Sequence, residues 1–279
     1  MNFLIQNNLS KRLELQLLGF LETKKIAVSQ YVGIPNTTCD TALVTISDIA
    51  KSTIPSIRFG KRVEYFFSYL LLANDYKIIA HGLQLIDKRT TLGELDFIVF
   101  HKKLKHYIHI EITNKFYLYD PEKNNEITAW IGPNRRDSLQ EKLTKLKEKQ
   151  FPLLFSKTGL DILKSRCIDP LNIVQQLDFR AQLFVPYKIQ QDKPVLFQEA
   201  IMGFYVNLDM FRGVFFAEST YFIPAKEDWQ VAAKHGEIWF DYETVLTRVS
   251  QIYFPKKQSP MLWVKTREGH YHKIFVVWW

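Results

Sequence analysis

Cysteine is nearly absent from this sequence: Cys39 and Cys167 stand far apart, and no Cys-x-x-Cys spacing occurs. That excludes a disulfide framework and a thiolate zinc site of the usual kind. The simpler expectation is a reduced, cytoplasmic setting. No run of about 18 apolar residues is present, so no membrane-spanning helix is expected. The opening stretch MNFLIQNNLSKRLELQ lacks the apolar core and small-residue cleavage site of a secretory leader. Internal repeats, low-complexity tracts and Gly/Ser linkers are missing as well.

What is present is apolar and aromatic. Hydrophobic residues make up 47% of the 279, with 21 Phe, 13 Tyr and 6 Trp, enough to bury a sizeable core. Lys and Arg number 37 against 29 Asp and Glu, a net charge of +8 that favours anionic partners such as nucleic acid. Charge alone selects no function; it gains meaning only beside a site that asks for phosphate.

Residues 1–55 read as a helical extension ending in a turn at 52–55, and 56–279 as one domain with a C-terminal elaboration. Val63, Phe66, Phe67, Leu70 and Leu71 recur at helical spacing, which predicts a helix over 60–74 with one buried stripe. Strands are expected over 77–86, 93–100 and 106–115, the last two joined by a basic loop of hairpin length. A helix over 135–149 follows, with Leu139, Leu143 and Leu146 as its apolar face and Asn134 as a candidate N-cap. Further strands are expected over 179–187, 200–207 and 273–278, and a helix over 242–252.

Side chains in a strand alternate between faces. Glu94 and Asp96 share a face of the 93–100 strand; His109, Glu111, Thr113 and Lys115 share a face of the next. Pairing as a hairpin brings Asp96 beside Glu111, with Lys115 just beyond. Neighbouring carboxylates repel, and a site that keeps both ionised needs a cation. Mg²⁺ or Mn²⁺ suits oxygen ligands and substrate phosphates, and a lysine supplies charge to a phosphoryl transition state. Glu64, at the flank of the helical stripe, can reach towards the same sheet. Arg135, Arg136 and Lys142 would meet a nucleic-acid backbone near a helix start.

A helix with Gly60-Lys-Arg-Val-Glu64, a strand, a strand with Asp96, a strand with Glu111, then a helix is an order that resembles the PD-(D/E)XK nuclease core. More narrowly, the chain resembles the bacterial family called domain of unknown function 1853. The resembling pieces are Leu92-Gly-Glu-Leu-Asp96, Glu111-Ile-Thr-Asn-Lys115-Phe-Tyr-Leu, Trp130-Ile-Gly-Pro-Asn-Arg-Arg-Asp137 with Leu139 and Lys142, and Phe275-Val-Val. The resemblance implies an α/β restriction-endonuclease-like core, a central mixed sheet flanked by helices. It implies metal binding by Asp96 and Glu111 with help from Glu64, and catalytic support from a lysine. The usual Glu-x-Lys puts lysine at 113, where this sequence has Thr113; Lys115 lies two residues further along the strand.

The expectation is a metal-dependent nuclease with Glu64, Asp96, Glu111 and Lys115 at its centre and DNA or RNA as partner. Two alternatives stand beside it: a nucleic-acid-binding module with weakened chemistry, and an interaction scaffold in which the carboxylates are incidental. Glu94-Leu95-Asp96 taken alone reads as a solvent-facing edge. His109 reads as a packed or surface residue, the hairpin lysines as solubilising, and the pair His270 and His272 as incidental.

Overall fold

A computed structural model describes residues 2–44, 58–123, 125–187, 194 and 196–279. In chain order the main elements are α1 (Asn2–Glu22), α2 (Phe59–Ala73), β1 (Tyr76–Asp87), β2 (Thr90–His101), β3 (His106–Tyr119), β4 (Trp130–Ile131) and α3 (Leu139–Lys145). They continue with α4 (Lys157–Ser165), β5 (Ile173–Pro186), β6 (Ile201–Asn207), β7 (Thr220–Phe222), α5 (Tyr242–Arg248), β8 (Met261–Lys265) and β9 (Tyr271–Val277). The fold is mixed α/β, a mixed sheet flanked by helices. No helix among the described residues is long and apolar enough to cross a membrane.

The backbone divides into two compact units. One combines residues 25–114 and 141–180; the other combines 1–24, 115–140 and 181–279, so β3 and β5 contribute residues to both. The expected boundary at 55/56 lies outside the described residues, as does the turn at 52–55.

In the first unit β1, β2 and β3 form an antiparallel meander. The predicted stripe of α2 is the one buried: Val63, Phe66, Phe67, Leu70 and Leu71 are all 4% exposed or less. The Phe67 ring meets that of Phe97 on β2 at 5.4 Å. A second cluster joins Leu85, Leu95 and Ile98 to Leu154, Leu163, Ile168 and Ile173. Apolar side chains from more than one element thus cover the sheet beside β2 and β3.

The second unit builds a mixed sheet: β5 and β6 pair in parallel, β6 and β9 in parallel, and β9–β8–β7 antiparallel. Gly203 is required there, because a Cβ would lie 2.1 Å from the carbonyl oxygen of Lys273 on the neighbouring strand. Leu262, Val264, Ile274 and Val276 pack with Tyr242 and Val245 of α5. Leu13, Leu17 and Phe20 give α1 its buried stripe, and Asp228 accepts hydrogen bonds from Arg12 and Gln16. The helical reading of 1–55 holds from Asn2 to Glu22; the described residues after it, to 44, are irregular chain with short helical turns.

The helix expected from 135 begins at Leu139. Residues before it spend their backbone groups in a turn, with Gly132 N–H donating to Asp137 O at 2.7 Å and Arg135 N–H to Gly132 O at 2.8 Å. Arg135 itself adopts a left-handed φ of 54°. Asn134 is no N-cap; its Oδ1 accepts from Ser259 N–H at 2.7 Å. Arg135 and Arg136 therefore precede the helix rather than sit in its first turn. After Lys145 the helix widens into a π turn, Leu146–Gln150, a form frequent at functional sites.

Candidate metal centre

The β2–β3 ladder runs from His101↔His106 to Phe97↔Ile110 and stops one pair short of Asp96 and Glu111. Where it stops, the Asp96 carboxylate takes over the role of a strand neighbour: its Oδ2 accepts from Ile112 N–H at 2.9 Å. Glu111 Oε1 lies 3.5 Å from the Asp96 amide nitrogen. Glu111 is fully buried. Burial raises Asp96 to about 7, and the charge of Glu111 adds to the rise. Burial likewise lifts Glu111 to about 7, opposed mainly by the positive charge of Lys142.

The groups that hold Glu111 are dipoles. His109 Nε2 is 2.9 Å from Glu111 Oε1. Its Nδ1 faces the Gln175 amide nitrogen at 3.0 Å, and the same nitrogen donates to Phe151 O at 2.8 Å. An amide NH₂ only donates, so Nδ1 is the acceptor and Nε2 carries the proton. Burial pushes the imidazole down to about 4, so His109 is a neutral donor. On the other side Gln150 donates to Glu111 Oε2 at 2.6 Å while its carbonyl accepts from Lys142 Nζ at 2.8 Å. The π turn ends at Gln150, and the Phe151 ring that follows stands edge-on to His109 at 5.8 Å.

Glu64 is held differently. Its Oε2 accepts from Lys61 Nζ and from His81 Nε2, each at 2.9 Å, and Lys61 also reaches Glu94 Oε1 at 2.5 Å. Burial works to raise Glu64, but the hydrogen bonds from His81 and Lys61 outweigh it, and its value falls below the usual carboxylate range. His81 stacks flat on Phe97 at 4.4 Å. Gly82, next along β1, has a φ of 59°; a Cβ there would come 3.4 Å from Glu94 Oε1 and 3.6 Å from Lys61 Nζ.

The donor chemistry fits a hard divalent cation. Glu64, Glu94 and Asp96 each offer a carboxylate oxygen within 4.8 Å of the others, and Asp96 is coupled to Glu111. Mg²⁺ and Mn²⁺ take this kind of ligand set. The structure thus brings Glu64, Asp96 and Glu111 into one neighbourhood and adds Glu94. Lys142 is the lysine whose charge acts on both strand carboxylates. Lys115 Nζ donates to Asp137 Oδ2 at 2.6 Å. Thr113 is 5% exposed, and its buried hydroxyl finds no hydrogen-bond partner among the described residues. Arg135 lies over the Trp279 ring at 3.9 Å. Arg136 is exposed and lies in the loop before α3.

Sequence reasoning passed over Gln150, Gln175 and the donor role of His109. Gln150 had a visible signal: it falls four residues after Leu146, so it continues the stripe Leu139, Leu143, Leu146 with an amide. Gln175 and His109 carried none, because their roles come from burial and mutual contact.

Comparison with curated proteins and with solved structures finds no match. A family model described as a domain of unknown function matches residues 38–277. Because that match spans most of its length, the chain belongs to the domain of unknown function 1853 family.

Proposed function

We propose that this protein is a metal-dependent hydrolase of phosphodiester bonds in nucleic acid, within the PD-(D/E)XK nuclease superfamily. The observation that carries this reading is the Asp96–Glu111 pair, a half-buried and a fully buried carboxyl whose ordinary ionised forms repel each other and whose immediate partners bring no positive charge. A buried pair of this kind is stabilised by a cation, and a chain with a net charge of +8 is suited to a polyanion.

Asp96 and Glu111 would hold Mg²⁺ or Mn²⁺, with Glu64 completing the set once Lys61 turns away. Such an ion supplies a lowered pKa for water and stabilises charge on the phosphoryl oxygens. His109 and Gln150 fix both oxygens of Glu111 in place. Lys142 supplies positive charge at the strand carboxylates, and Lys115 is the other lysine candidate on sequence grounds. Arg135, Arg136 and Lys142 would position the nucleic acid through its backbone, which carries no sequence information.

One observation favours a second reading, a binding module without efficient cleavage. Thr113 occupies the position at which the superfamily places its lysine, and it is buried. The deciding experiment is cleavage of single- and double-stranded DNA and RNA with Mg²⁺ or Mn²⁺, comparing the wild type with Asp96→Ala and Glu111→Ala. Activity confined to the wild type is expected. Equal activity in all three refutes the site, whereas salt-sensitive binding with no cleavage by any of them selects the second reading.

A further inference from the structure

The unit made of residues 1–24, 115–140 and 181–279 contains a cavity of its own, about 450 Å³ in volume. That is the size of site that takes a metabolite. Gln182 and the start of β9 contribute to its wall; the titratable residues there are Glu22, Lys234, His270, Tyr271, His272 and Lys273. His270 and His272 thereby gain a common setting that their spacing alone did not give.

Lys273 is the unusual member. Its residue is only 5% exposed, yet it lines the cavity. Nζ donates to Gln182 Oε1 at 3.2 Å and to Trp229 O at 2.7 Å. The Gln182 carbonyl is turned to the lysine because its amide nitrogen is taken by Thr23 Oγ1 at 3.3 Å, a hydroxyl that also receives Gln230 at 2.7 Å. An ammonium has three donors, and neutral oxygens take two of them. Among the described residues its hydrogen-bond acceptors are neutral, and no carboxylate contacts the ammonium directly. Burial accordingly lowers Lys273 to about 7, with the charge of Glu22 opposing.

We propose that this cavity is a binding site for a small molecule bearing an oxyanion, a phosphate ester or a carboxylate, which accepts the third N–H of Lys273. The oxyanion takes the place that a buried carboxylate holds in an internal ion pair. Lys234 adds a second positive charge at the wall, against the single carboxylate of Glu22. None of these residues belongs to the carboxylate centre, so the inference stands apart from the hydrolase reading.

Sulfate and acetate test it, because both reach an ammonium whatever scaffold the natural ligand carries and neither titrates near neutrality. Calorimetry on the full chain at pH 8, in two buffers of different ionisation enthalpy, is expected to show saturable binding of one anion with proton uptake as Lys273 regains its charge. Preference for sulfate assigns a phosphate ester, and preference for acetate a carboxylate. Lys273→Met, checked for folding by circular dichroism, is expected to bind about tenfold more weakly or worse. Absence of saturable binding by either anion overturns the proposal, as does binding without proton uptake or binding unchanged in Lys273→Met. Should that variant fail to fold, Lys273→Gln takes its place under the same criterion, because His270 and His272 on the same wall could also take up protons.

Discussion

The imidazole of His109 donates to the carboxylate of Glu111 across 2.9 Å, two residues along the same strand and out of contact with solvent. The direction of that bond is fixed by Gln175, which donates to the other ring nitrogen. His109→Leu is therefore expected to leave one Glu111 oxygen short of a donor and to lower stability by about 1–3 kcal/mol. Urea denaturation measures it, and an unchanged midpoint would remove His109 from the support of Glu111.

Asp96→Asn is expected to act in opposite directions on two measurements. Asparagine still accepts from Ile112 N–H but carries no charge beside Glu111, so the metal-free protein at pH 8 gains about 1 kcal/mol or more. Affinity for Mg²⁺ or Mn²⁺ by calorimetry falls by about tenfold or more. A variant that is both less stable and equally able to bind the ion would show that the pair is not a cation site.

Stability has two pH windows of opposite slope. Asp96 and Glu111 are raised to about 7 from ordinary values of 3.8 and 4.5. The folded chain holds those protons more tightly, so metal-free stability falls as pH climbs from about 4 to about 7. Lys273 is lowered from 10.5 to about 7. There the unfolded chain keeps the proton longer, so stability rises from about pH 7 towards 10.5. Thermal unfolding across the range tests both: Asp96→Asn flattens the first slope and Lys273→Met the second.

The two lysine candidates separate in a cleavage assay. Lys142→Met is expected to reduce turnover about a hundredfold while affinity for a nucleic-acid substrate changes far less, because its charge acts on Asp96 and Glu111. Lys115→Met, which removes a bond to Asp137, is expected to change turnover little. The reverse ranking would return Lys115 to the centre.

Gly82→Ala forces a side chain into a left-handed backbone position, at a cost of about 1–2 kcal/mol. Its Cβ would stand in van der Waals contact with Glu94 and Lys61. Metal affinity measured beside stability distinguishes a local disturbance of the Glu64–Lys61–Glu94 set from simple strain, since strain alone leaves the affinity unchanged.

The strands and α2 were legible because apolar periodicity is a property of the chain itself: the stripe Val63 to Leu71 is buried as spaced. The nearness of Asp96 and Glu111 was legible from the register, but its form was not. Alternation predicts two side chains on a paired ladder, whereas the ladder ends at Phe97↔Ile110 and Asp96 completes it by accepting from Ile112. The start of α3 was misjudged because a turn closed by Gly132 and Asp137 takes the backbone groups a helix would have used. Glu94 read as an edge residue, and its Lys61 contact arises only once α2 docks on β1 and β2. His109, Gln150 and Gln175 acquire their meaning from each other, and no spacing rule encodes that.

The contrast between the partners of Glu111 and those of Glu64 has a kinetic consequence. Lys61 already pairs with both Glu64 and Glu94, so an incoming ion must displace a resident charge to use either oxygen. Among the described residues Glu111 meets a neutral imidazole and an amide, and Asp96 a backbone N–H; an ion arriving there displaces no ammonium. Loading should begin at the two strand carboxylates and proceed to Glu64 afterwards, with Lys61 as the gate between the two stages.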